Sequence, residues 1–245
     1  MESVFISINM ALILRVDIDK PYGNSTIFTK VASKIVEDYF DIPIIGSWNY
    51  LYHHIAFLKY CNAENIPGFM YHRQCTAPNA EVTRLTLEGG HKLCFHAENT
   101  RNLETFTAEL DLFKKTVAPE PVGSFSKHGS GKLKLGKHHY PPYEPEKYRE
   151  WSVKTNTAYY FGNTIGVSAK ALESTDQYFD SVFWVERDYR DPAFSEPEQV
   201  LEAASQTDIA ILIHPCNYHA NKTVAADFKE LVRLSKEKAI PWRVF

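Results

Sequence analysis

Short apolar runs that end in a carboxylate or an imidazole recur along this chain, with helical stretches between them. Residues 10–16 (MALILRV) are almost continuously apolar, Arg15 being the exception, and Asp17, Ile18 and Asp19 close the run. Residues 66–71 lead to His72, residues 92–95 to His96, residues 122–126 to Lys127 and His128, and residues 208–213 to His214. Such runs suit strands buried on both faces. Further short strands are predicted at 158–161 and 181–185, and PWRVF at 241–245 reads as a closing strand. The clearest helix carries Leu103, Phe106, Leu110, Phe113 and Val117, at helical spacing. Others are predicted through Phe28, Val31, Ile35 and Tyr39; through Trp48, Leu51, Tyr52, Ile55 and Leu58; over 198–204; and through Phe228, Leu231 and Val232.

Strands alternating with helices imply an α/β fold with a parallel sheet. A length of 245 residues suits one α/β barrel, and with no internal repeat or linker composition, 1–245 reads as a single domain. In such barrels the C-terminal strand ends share one face, which holds the active site. Asp17, Asp19, His72, His96, His128 and His214 are therefore expected to converge. His91 precedes its strand and belongs on the opposite face. Residues 129–150 are rich in Gly, Lys, Tyr and Pro and read as a long loop.

Composition removes several function classes. A net charge of -3 argues against general nucleic-acid binding. Cys61, Cys75, Cys94 and Cys216 form no CxxC pair, so no zinc ribbon or thioredoxin motif is present, and they read as reduced thiols. The opening MESVFISINMALIL has no positive n-region and runs straight into RVDID, so it reads as a strand and not a signal peptide. No apolar run approaches the ~18 residues of a membrane span. A cytoplasmic location is expected.

The strand ends suggest chemistry. Residues two apart on a strand point to one side, so Asp17 and Asp19 should lie together. Their mutual repulsion raises one pKa unless a cation sits near them. A metal ion held by one carboxylate, with the other as general base, resolves this. His96 is a candidate metal ligand. His128, in SKHGSG, is another, with Gly129 permitting close backbone approach. His214, in ILIHP, could protonate a leaving amine, because imidazole titrates near neutrality. GKLKLGK at 131–137 has P-loop spacing, but His138 stands where Ser or Thr must hold magnesium, and YPPYEPE follows where a helix is required. Lys127, Lys132, Lys134 and Lys137 could still meet a phosphate-bearing substrate, although a solvated basic loop is the favoured explanation. Arg15, Tyr22, His72, Arg73 and Lys137 are the expected substrate contacts.

The motif order LRVDIDKPYG, PGFMYH, EGGHKLCFHAENTR, SFSKHGSGK and ILIHP resembles that of the NodB-like polysaccharide deacetylases, carbohydrate esterase family 4, and among them the deacetylases of O-antigen gene clusters. The resemblance covers most of the chain. It implies a distorted (β/α)7 barrel and a metal-dependent hydrolase that removes an N-acyl group from a sugar. The family's Asp-Asp pair corresponds to Asp17 and Asp19, its GHE element to Gly90-His91-Lys92, and its late Leu-x-His to Leu212-Ile213-His214. Three departures stand out. Ile18 separates the two acids, so their roles could be exchanged. The family's second metal histidine falls on Thr100, leaving His128 as substitute ligand with Glu98 behind it. The Arg-Pro-Pro motif has no counterpart.

The resulting expectation is one divalent ion on Asp19, His96 and His128, with Asp17 as base and His214 as acid. Zinc suits this N/O set, with cobalt, nickel or iron as alternatives. The expected substrate is an N-acylated sugar, nucleotide- or lipid-linked. Two other classes stay open: a metal amidohydrolase of small amides, and a catalytically silent sugar-binding barrel.

Overall fold

The computed structural model describes residues 10–19, 28, 31, 51–129 and 139–245. Seven parallel strands form one sheet: β1 (Leu12–Ile18), β2 (Gly68–His72), β3 (Lys92–Ala97), β4 (Phe125–Lys127), β5 (Phe161–Ile165), β6 (Phe179–Trp184) and β7 (Ile209–Ile213). Their order is β4-β3-β2-β1-β7-β6-β5. The two outer strands come together: Ser124 bridges to Ala158, the Phe125 N–H donates to the Ala158 carbonyl at 2.8 Å, and Asn163 Nδ2 donates to the Lys127 carbonyl at 3.0 Å. The sheet is thus a nearly closed (β/α)7 barrel, as expected.

The helices include α1 (Tyr52–Glu64), α2 (Ala80–Glu88), α3 (Leu103–Val117), α4 (Pro145–Thr155), α5 (Pro197–Ala203), α6 (Pro215–Ala220) and α7 (Lys222–Glu237). The α3 periodicity is realised directly: Phe106, Leu110, Phe113 and Val117 are buried, and Asn102 caps the first turn by accepting from the Thr105 N–H. Asn79 caps α2 and Asn221 caps α7 in the same way.

Strand parity decides what enters the barrel. On β1, Leu12, Leu14, Val16 and Ile18 join the cluster under the helices. Ala11 and Ile13 join the inner cluster with Phe69, Tyr71, Cys94, Phe161, Phe179, Val182, Ala210 and Leu212. Arg15 follows the inner parity and crosses the barrel, where its Nη1 donates to the Gly162 carbonyl on β5 at 2.8 Å. Extending the parity by one or two residues places Asp17, Asp19, His96, Ser126, His128, Trp184, Glu186 and His214 on the inner side as well.

Several expected boundaries shift. Strand β1 continues through Asp17 and Ile18, because both pair with β2. The predicted 129–150 loop gives way to α4, whose Pro145 occupies the first turn while Tyr148 and Trp151 are buried. The strand predicted at 158–161 begins at Phe161. PWRVF forms a single bridge, Leu12 to Trp242, and no strand. The helix at Tyr52–Glu64 starts after Leu51, which is buried at φ 59°. Phe28 and Val31 are helical but exposed, not buried as the periodicity predicts. Ile35, Tyr39 and Trp48 lie outside the described residues.

Candidate active site

The C-terminal strand ends carry a compact polar cluster. Asp17 is buried on β1, and its two oxygens accept from Arg15 Nε at 2.9 Å and Nη2 at 2.7 Å. Burial favours the neutral acid, but the Arg15 guanidinium, helped by His96, outweighs it and holds the carboxyl below its ordinary range. The Arg15 charge therefore supplies part of what the sequence assigned to a metal. It is an internal counter-ion, and both of its arms are engaged by the protein, so it is not placed as a substrate contact.

Asp19 lies just past the end of β1. Its Oδ1 is 3.2 Å from His96 Nε2 and 3.1 Å from His128 Nδ1, and its Oδ2 is 3.5 Å from His214 Nε2. Burial opposes ionisation, yet His128, His96 and His214 together hold this carboxyl well below the usual range. His96 Nε2 also lies 3.5 Å from Asp17 Oδ2. The two acids thus share one side, as their spacing demands. His96 Nδ1 lies 2.7 Å from Ser126 Oγ, a cross-strand neighbour set by the β3–β4 register. That contact takes one ring nitrogen and leaves Nε2 directed at the carboxylates.

Asp19, His96 and His128 each offer a donor atom, and these three atoms lie within 4.8 Å of one another. Two ligands 2.0–2.1 Å from a tetrahedral zinc ion lie about 3.3 Å apart, close to both contacts of Asp19 Oδ1. Burial pushes His128 down to about 3 against the opposing pull of Asp19, so its imidazole is neutral and able to ligate. The donor set fits a divalent ion. Thr100 does not contribute: its hydroxyl is buried 3.4 Å from Tyr148 Oη, on the α4 side of β3.

Two further acids stand at the cluster: Glu98, expected behind His128, and Glu186, which the sequence reading does not single out. Glu186 follows β6, and its Oε1 accepts from the His214 backbone N–H at 2.9 Å, lies 2.9 Å from His214 Nδ1, and accepts from Asn217 Nδ2 at 3.2 Å. Burial would lower the His214 pKa, but Glu186, with Asp19 and Asp17, raises it to about 9. The strand-end rule applied to β6 selects Glu186 without further information. Glu98 stands 3.8 Å from His128 Nε2 through Oε1, which also accepts from Arg73.

Other expected residues go elsewhere. His72 has the helix-facing parity, is fully buried, and places Nδ1 2.8 Å from the Thr76 carbonyl, so it is not brought to the site. The Arg73 guanidinium is buried against the Asp19 carbonyl and Glu98 instead of facing a substrate. Lys127 is buried, its ammonium on the His128 and Gly129 carbonyls, and is not part of a solvated loop. Tyr22, Lys132, Lys134 and Lys137 lie outside the described residues. Cys61, Cys75 and Cys94 are buried. Among the described residues, no helix is long and apolar enough to cross a membrane.

No protein-family model matches the chain, and no curated protein matches it in sequence. Solved structures do match. A candidate glycoside hydrolase/deacetylase from Parabacteroides distasonis superposes with a TM-score of 0.51 at 10% identity, over 96% of this chain and 69% of that one. A family 4 carbohydrate esterase from Streptomyces lividans, solved with acetate, gives 0.49 at 12% identity over 97% and 93%. A candidate polysaccharide deacetylase from Pseudomonas aeruginosa gives 0.47 at 12% identity over 96% and 88%. The Parabacteroides likeness establishes a shared fold.

Proposed function

We propose that the protein is a metal-dependent hydrolase that removes an N-acyl group, acetyl in the first instance, from a sugar. The observation that carries this reading is the convergence of Asp19, His96 and His128, with Asp17 and His214 on either side. The sugar-acyl class follows from the motif resemblance and agrees with the deacetylase in the name of the Parabacteroides fold neighbour.

Asp19 Oδ1, His96 Nε2 and His128 Nδ1 would hold the ion, zinc being the best match to this donor set. When bound, such an ion polarises a carbonyl and acidifies water. Asp17 is the general base: Arg15 keeps it ionised and fixes both oxygens, and Oδ2 is the oxygen nearer the cluster. His214 is the general acid. Glu186 accepts from Nδ1–H, which leaves Nε2–H directed at the site to protonate the departing amine. The base and acid thus have separate counter-ions, Arg15 and Glu186, which hold them in opposite protonation states.

The physiological substrate in this reading is an N-acylated sugar precursor of surface polysaccharide such as O-antigen, nucleotide- or lipid-linked and handled in the cytoplasm. The test is release of free amine from N-acetylhexosamines and their nucleotide-linked forms by zinc-loaded protein, beside simple acetamides. Amine release from the sugars, lost in Asp17→Asn and His214→Ala by ~10²–10⁴-fold, supports the proposal. Turnover confined to the small amides, or none in a zinc-replete protein, overturns it.

A further inference from the structure

Two of the three candidate ligands stand off the sheet. Asp19 follows the last residue of β1, and His128 follows the last residue of β4. His96, by contrast, lies within β3 and is braced by Ser126. The two off-sheet ligands require another means of holding their separation, since a misplacement of about 1 Å costs a preorganised site much of its effect.

A closed circuit of contacts provides it. Asp19 Oδ1 meets His128 Nδ1 at 3.1 Å, His128 Nε2 faces Glu98 Oε1 at 3.8 Å, Glu98 Oε1 accepts from Arg73 Nη2, and Arg73 Nη1 donates to the Asp19 backbone carbonyl. Arg73, Glu98 and His128 are each anchored by a contact outside the circuit. The Arg73 N–H donates to Thr76 Oγ1 at 2.9 Å, and the same hydroxyl donates to the Ile18 carbonyl at 2.7 Å. Two successive carbonyls at the end of β1, Ile18 and Asp19, are therefore gripped from the turn after β2. Glu98 is held by its backbone N–H, which donates to the Glu109 carboxylate at 3.2 Å, while the Asn99 N–H reaches it at 2.9 Å. The His128 N–H donates to the Ala97 carbonyl at 2.8 Å.

The geometry points to Arg73 as a positioning residue that sets the Asp19–His128 separation, acting on Asp19 through its carbonyl and on His128 through Glu98. The inference rests on the metal-site reading above and assigns Arg73 no contact with substrate. A forked guanidinium is suited to the task because its two arms reach two acceptors in a fixed plane, which a lysine ammonium does not reproduce. A carboxylate facing the far nitrogen of a ligating histidine also fixes that ring's tautomer and orientation.

The test is zinc affinity by chelator competition and the visible ligand-field spectrum of the cobalt-loaded protein, in wild type, Arg73→Met, Arg73→Lys, Glu98→Gln and the Arg73→Met/Glu98→Gln double variant. Zinc affinity should fall ~10–100-fold in Arg73→Met, with a changed cobalt spectrum, and Arg73→Lys should recover only part of it. The double variant should be little weaker than Arg73→Met, because the two residues act in series. Thermal unfolding of the metal-free proteins shows whether each variant is folded. A folded Arg73→Met with wild-type zinc affinity and cobalt spectrum would overturn the clamp and leave the deacylase reading intact. Full recovery by Arg73→Lys would overturn the fork and leave only charge. A wild type that takes up neither metal sinks both readings.

Discussion

His91 and His96 stand at opposite ends of β3, one just before the strand and one among its last paired residues, and both are buried, yet they do opposite work. At the N-terminal end, His91 Nδ1 accepts from the Gly68 N–H at 3.0 Å, and Nε2 meets Asn62 Oδ1 at 2.6 Å. Both nitrogens are engaged, and burial pushes the ring down to about 4, so it is a neutral structural bracket. At the C-terminal end, His96 gives one nitrogen to Ser126 and turns the other to Asp17 and Asp19. Residue type and burial are the same. What differs is the strand end and the nitrogen left over, and these separate a bracket from a candidate ligand.

The sharpest way to break this contrast is metal stoichiometry. His96→Ala and Asp19→Ala should take the protein from about one bound zinc per chain to none, whereas His91→Ala should keep full occupancy. Loss of metal in all three variants, measured by elemental analysis of folded protein, would erase the distinction. Arg15→Met comes next. It strands the Asp17 carboxylate without its buried partner, and such breaks cost about 3–5 kcal/mol, to be read by denaturant unfolding of the metal-free form. His91→Ala should cost about 1–3 kcal/mol in the same assay, because the Gly68 N–H loses its acceptor. Ser126→Ala should weaken zinc binding ~10–100-fold with little change in fold.

A further contrast is one of pH. In the metal-free protein His214 titrates near 9, above its ordinary 6.5. Its contribution to stability is therefore fully present below about 6.5 and is lost as pH rises through about 9. Imidazole NMR should place that titration, and Glu186→Gln should move it down. His91, held neutral, should show no titration between pH 6 and 10.

Much of this site is legible in the chain. Apolar runs in strands and 3.6-residue periodicity in helices dictate an alternating α/β chain, and the strand-end rule selects Asp17, Asp19, His96, His128 and His214 before any coordinates. The same rule includes Glu186, whose strand is short and mixed enough that its end attracts little notice. It also includes His72, which the strand's parity turns away from the site: His72 shares the side of Met70, which packs under the helices. The α4 helix is hidden by its setting, since Pro and Tyr before it resemble a loop.

The sequence by itself determined that polar groups cap buried parallel strands, because backbone pairing and hydrophobic burial leave few other places for them. Only the tertiary structure decided which of these groups meet. Parallel pairing sets β4 beside β3, so Ser126 and His128 reach His96, and the inner parity of β1 buries Arg15 against Asp17. These partners are distant in sequence or concealed by the apolar run around them. Their charges balance only when the strands are wrapped into a barrel, where burial makes each unpaired charge costly and each pair specific.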